Sequence, residues 1–132
     1  MNIIEERIKY WLDLTEYDMT TAEAMLESKR YLYVGFMCHQ VIEKSIKAYY
    51  WYSKKSEPPY THNLLILAEK SDLLPLLNDE KRKLINELIP LNIQSRYPED
   101  KNMMMKLMNF DKSKSLIERT NEIFKWIKTL LT

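Results

Sequence analysis

The sequence predicts an all-α protein, an antiparallel up-down bundle of four to five helices. Three observations carry that prediction. Apolar residues recur at 3–4 spacing over long stretches, no segment alternates with period two, and the 132 residues include one Gly and five Pro. So few breakers do not serve the many turns of a sandwich or barrel. The length suits one domain over residues 1–132 with a true interior, since chains near 150 residues bury roughly 68–70% of their unfolded surface.

The first helix is expected from about Ile4 to Ser28. Ile4, Ile8, Trp11/Leu12, Met19, Ala22 and Met25/Leu26 form its apolar stripe, and Asp13, Glu16, Glu23 and Glu27 fall largely off it. The second covers about Leu32 to Ser53. Val34, Cys38, Val41/Ile42, Ser45 and Tyr49 make one row, and Phe36, Gln40, Ile46 and Tyr50 make another. A helix apolar on more than one side belongs at the centre of a bundle. Pro58 and Pro59 then stop the chain from continuing as helix.

A short third helix is expected after Thr61, read as its N-cap. Asn78, followed by Asp79 and Glu80, marks the next start: a capping side chain, then two acids at the positive helix end. Leu84/Ile85, Leu88, Leu91 and Ser95 continue that helix past a kink at Pro90, and Pro98 ends it after Arg96-Tyr97. Residues 99–110 read either as a helical turn or as a flexible flap. Leu116/Ile117, Thr120, Ile123/Phe124, Ile127 and Leu130/Leu131 define the last helix, from about Asp111 to the C-terminus. Short connections favour antiparallel neighbours.

Composition narrows the function classes without selecting one. Hydrophobic residues at 45% and charged residues at 30% exclude a disordered chain. A formal charge of +1 gives no whole-molecule field for nucleic acid or anionic membrane. The lone Cys38 has no internal disulfide partner, Glu5 and Glu6 interrupt any secretory signal, and no apolar run approaches the roughly 20 residues of a membrane span. The expected location is the cytoplasm, with no membrane association. One Gly excludes the P-loop and the dinucleotide fingerprint, one Cys excludes zinc-finger spacing, and HExxH is absent. No metal ion or cofactor is expected.

Three places hold residues suited to chemistry. His39, Glu43 and Lys47 are successive i,i+4 neighbours and project from one helix face. A polar network around a partly buried Glu fits them better than metal ligation, which needs three or four ligands. Lys44 and Lys47 by themselves read as a solvated face. His62, at a helix start, reads either as a capping residue or as a group that meets an anion or carries a proton near neutral pH. Arg96-Tyr97 before Pro98 reads either as a helix stop or as a phosphate grip with a stacking ring. Cys38 is expected to be inert on its apolar row, and Met103-Met104-Met105 with Leu107, Met108 and Phe110 form either an adaptable contact surface or ordinary core.

Together these segments resemble the HEPN family, the "higher eukaryotes and prokaryotes nucleotide-binding" domain. The likeness rests on Ala22-Glu23-Ala24-Met25-Leu26 leading to Arg30-Tyr31-Leu32-Tyr33, and on Phe36 followed by His39-Gln40-Val41-Ile42-Glu43-Lys44-Ser45-Ile46-Lys47-Ala48. Thr61-His62-Asn63-Leu64 with Leu67, and Arg96-Tyr97-Pro98, complete it. The resemblance implies a helical bundle, commonly a homodimer, linked to RNA or nucleotides. It also implies ribonucleases of toxin–antitoxin pairs as relatives, and a minimal nucleotidyltransferase as partner.

Ribonuclease members carry an Arg followed four to six residues later by His. After Arg96 no His occurs in that window, and none follows His62 anywhere. Arg is always protonated and only stabilises phosphate charge, so the motif keeps an anion clamp and loses its proton shuttle. The expected function is therefore a module that binds nucleotide, RNA or a nucleotidyltransferase without catalysis, through Glu43, Lys44, Lys47, His62, Arg96 and Tyr97. No catalytic residue is assigned. The alternative is a divergent metal-independent ribonuclease using Arg96 with His62 or Tyr97. A third reading is an interaction bundle indifferent to nucleic acid.

Overall fold

The computed structural model describes residues 1–93 and 97–131, and all regular structure among them is helical. The first helix, α1 (Ile3–Glu27), starts where the Asn2 side chain accepts a hydrogen bond from the Glu5 amide at 2.9 Å. A three-residue turn, in which Lys29 takes φ 62°, leads into α2 (Tyr31–Lys54). Asp18 meets Lys44 and Trp11 meets Lys47, so the two helices run antiparallel.

Helix α2 is the central element, as its double apolar row predicts. Val34, Cys38, Val41, Ile42, Ile46 and Ala48 are completely buried, and α1, α3, α4, α5 and α6 all pack on it. Gly35 is needed for one of these contacts: a methyl group there would meet Leu91 Cδ1 at 3.0 Å. Lys55 ends α2 in the left-handed conformation at φ 55°.

Helix α3 (Leu64–Lys70) is followed by a 3₁₀ turn at Leu74–Leu76 and then by α4 (Asp79–Leu88). The Asn78 side-chain oxygen accepts from the Lys81 amide at 2.9 Å, as its capping role predicts. The other cap differs from expectation. Asn63, not Thr61, caps α3 by accepting from Leu65 and Ile66, while the Thr61 hydroxyl accepts from the Asn63 amide.

Prolines account for the remaining differences. Pro90 does not kink a continuing helix; α4 stops at Leu88 and a 3₁₀ turn occupies Ile89–Leu91, because Pro has no amide to donate. The expected extension through Ser95 lies outside the described residues. Pro98 begins a helix instead of ending one: α5 (Pro98–Leu107) places it in the first turn, where its missing amide costs nothing. Residues 99–110 are therefore mostly a helix and not a flap.

Helix α6 (Phe110–Leu130) is capped by Asn109 and buries Leu116, Ile117, Thr120, Ile123, Phe124 and Ile127. Its pairings of Arg119 with Glu87 and Trp126 with Lys81 set it antiparallel to α4. No helix among the described residues is long and apolar enough to cross a membrane.

Candidate functional site

The i,i+4 spacing on α2 stacks His39, Glu43 and Lys47 on one face, and that face turns inward. Glu43 is only 2% exposed. Removing a carboxylate from water costs several kcal/mol unless charge and hydrogen bonds replace the lost hydration. The replacement is complete here. Lys47 Nζ donates to Glu43 Oε2 at 2.9 Å, and His62 Nδ1 lies 3.1 Å from both carboxylate oxygens. His39 Nδ1 stands 3.9 Å from Oε1. The expected polar network around Glu43 is thus present, with a fourth member that arrives from the segment before α3.

Each lysine expected on a solvated face is instead held. Lys47 lies over the Trp11 indole at 5.1 Å while paired with Glu43. Lys44 donates to Asp18 at 2.5 Å, and Asp18 itself is buried. Neither Trp11 nor Asp18 was singled out as a site residue by sequence reasoning. Their signal was present: Trp11, Thr15, Asp18 and Ala22 fall on one face of α1. Thr15 and Asp18 are buried there with Ala22, and Trp11 is half-buried.

His62 is the outward part of this centre. Its side chain is 52% exposed, although Nδ1 is anchored on the buried carboxylate. A carboxylate held by Lys47 accepts only, so Nδ1 carries the hydrogen and Nε2 occupies the opposite edge of the ring. Tyr60 is almost wholly exposed and meets His62 edge-on, with ring centroids 6.1 Å apart. The two tight prolines before Tyr60 and the Asn63 cap after His62 fix this segment at both ends. His62 does not cap α3.

A second surface lies on the other side of the 3₁₀ turn. An open groove of about 810 Å³ runs between that turn, α5 and α6, floored by Leu91, Met103, Met104, Leu107, Met108 and Leu116. Asp100, Asp111, Lys112 and Arg119 line its rim. Met103, Met105, Leu107 and Phe110 are exposed, while Met108 packs against the core. The methionine run is thus exposed over most of α5 and is not ordinary core.

Tyr97 is exposed at the start of α5, where its carbonyl accepts from the Lys101 amide at 3.1 Å. Arg96 lies outside the described residues. Leu91, five residues before it, approaches Gly35, which precedes Glu43 by eight residues on α2. Eight residues of α-helix rise about 12 Å, so the Leu91 contact and the Glu43 centre mark separate levels of α2.

Burial pushes the Cys38 thiol up to about 12, with the Thr120 hydroxyl and the Arg119 guanidinium pulling it only partly back. It is an interior residue and no nucleophile, as its apolar row predicts. Among the described residues, no group of three or more His, Cys, Asp or Glu is arranged to hold a metal ion.

A central helix sheathed by five others, with a buried glutamate gathering Lys47 and His62, defines a helical-bundle class built around one polar centre. The HEPN domain model matches residues 8–130, and the chain belongs to the HEPN family. That family is generally related to nucleotides and RNA, and its members are often ribonucleases. No curated protein and no solved structure matches the chain.

Proposed function

We propose that this chain is a binding module for nucleotide or RNA, working as a homodimeric single domain in the cytoplasm, and without ribonuclease activity. The observation that carries this reading is the fate of the two histidines. Arg96 has no His in the following six residues, and His39 and His62 both stand at Glu43. Metal-independent cleavage of RNA needs a group that takes the 2′-hydroxyl proton and one that gives a proton to the leaving oxygen. Arginine does neither.

The exposed apolar face of α5 and the groove beside it support a partner surface, either a second copy or a minimal nucleotidyltransferase, as in the toxin–antitoxin pairs of this family. The binding residues under this reading are the exposed His62 and Tyr97 together with Arg96, with Glu43, Lys44 and Lys47 holding the frame. Incubating the purified protein with several RNAs in chelator tests it. Intact RNA, retained in a complex, is the expected result.

One observation favours a second reading, a divergent ribonuclease. A carboxylate-anchored imidazole on a half-exposed side chain is suited to proton transfer. Chelator-resistant cleavage that disappears in both Arg96→Ala and His62→Gln would establish it and defeat the first.

A further inference from the structure

We propose that His62 is the phosphate-contacting residue of this module: Nε2, as part of an imidazolium, donates to a phosphate oxygen of the nucleotide unit while Nδ1 stays on Glu43. The inference rests on the nucleotide or RNA reading above and assigns its contact atom and protonation state. The four groups of the centre differ sharply in access. The side chains of Glu43, His39 and Lys47 are 3%, 2% and 12% exposed, against 52% for His62. A ligand arriving from solvent therefore meets the imidazole first.

The charges around the ring make its proton decisive. Lys47 neutralises Glu43 on α2, and Lys44 neutralises Asp18 across the α1–α2 contact. His39 also faces Glu43 from α2, Trp11 contributes an uncharged ring from α1, and Tyr60 flanks His62 in its own segment. With both ion pairs balanced, a neutral His62 leaves the centre without net attraction for an anion. An imidazolium adds one positive charge and a second N–H donor on a half-exposed ring. The phosphate charge favours that form in return. Anchoring of Nδ1 against both Glu43 oxygens keeps the ring oriented before the ligand arrives, which lowers the ordering cost of binding. Tyr60, exposed and edge-on to the imidazole, offers a flat face for the base.

The chain has two histidines, so a sample labelled with ¹⁵N-histidine shows only two imidazoles, with buried His39 as the internal reference. The probes are adenosine 5′-monophosphate, adenosine, and a short oligoribonucleotide with a 5′-hydroxyl, each titrated into the full chain at several values between pH 5.5 and 8. A saturable shift of the His62 Nε2 resonance is expected with the phosphate-bearing probes and not with adenosine. Affinity should be higher at pH 5.5 than at pH 8, since the proposed donor is the imidazolium. His62→Gln should bind weakly and keep only the dependence contributed by the phosphate's own titration near pH 6. Tyr60→Ala should weaken binding of the monophosphate. Response to the monophosphate alone assigns the site to free nucleotide; response to the oligonucleotide as well assigns it to RNA. Equal binding by wild type and His62→Gln, or binding that leaves the His62 ring unshifted, overturns the assignment and leaves the broader reading standing. If neither phosphate-bearing probe binds, that reading falls, and this one with it.

Discussion

Glu43 and Leu107 depart from the ordinary rule of burial in opposite directions: the carboxylate is 2% exposed and the leucine 58%. Around Glu43, charged side chains are folded into the bundle and each is answered by a partner. Along α5, large apolar side chains face solvent, and none of the helix's residues is buried. The Glu43 centre is coupled to folding because its partners come from α1, α2 and the segment before α3. The α5 surface is only lightly attached to the bundle. Substitutions should therefore be felt as stability at the first place and as association at the second.

The strongest way to break that contrast is Lys47→Glu. It removes the ammonium from a buried carboxylate and adds a like charge beside it, so the expected loss is about 3–5 kcal/mol, measured by urea denaturation. Taken by itself in the sequence, Lys47 reads as part of a solvated face; the structure instead pairs it with a buried carboxylate. A core truncation, Ile42→Ala, serves as the benchmark at about 2–5 kcal/mol. Met105→Lys on α5 should change stability by no more than about 0.5 kcal/mol. The same substitution should lower the dimer fraction in a sizing experiment. A large stability loss there would show that α5 belongs to the core.

Titration of Cys38 sharpens the comparison from the interior side. Its folded value lies above the ordinary thiol value of 9.0, so the folded state keeps its proton where the unfolded chain loses it. Stability from this group is full below pH 9 and falls as pH rises from there towards 12. Native protein at pH 8 should resist alkylation for hours and react rapidly once urea unfolds it. Rapid native labelling would mean that the α2–α6 contact opens.

A modest effect of opposite sign is expected at Lys55→Gly. A left-handed conformation at φ 55° costs a side-chain-bearing residue about 1 kcal/mol that glycine does not incur. A gain of up to about 1 kcal/mol in thermal denaturation is expected.

Much of the fold was legible because α-helical period is a local property. The stripes of α1, α2 and α6 and the Asn78 cap each lie within one element. The start of α5 was legible in principle: Tyr97-Pro98-Glu99-Asp100 carries a first-turn Pro followed by two acids, the same grammar as Asn78-Asp79-Glu80. Half of the polar centre followed from i,i+4 spacing. The other half did not, because His62 reaches Glu43 across 19 residues and through a proline-fixed segment whose path no periodicity encodes. Asp18 was hidden for a related reason, since only the arrival of Lys44 from the facing helix makes a buried aspartate affordable.

The salt dependence of RNA binding tests the central claim most directly. Binding of a labelled single-stranded RNA, followed by anisotropy between 50 and 200 mM salt, should weaken along a straight log–log line. With two or three phosphates contacted, its slope should be about −1.4 to −2.1. A flat line, or no binding of either this RNA or adenosine 5′-monophosphate at the lowest salt, would contradict a phosphate-binding module and leave a bundle that engages only other proteins.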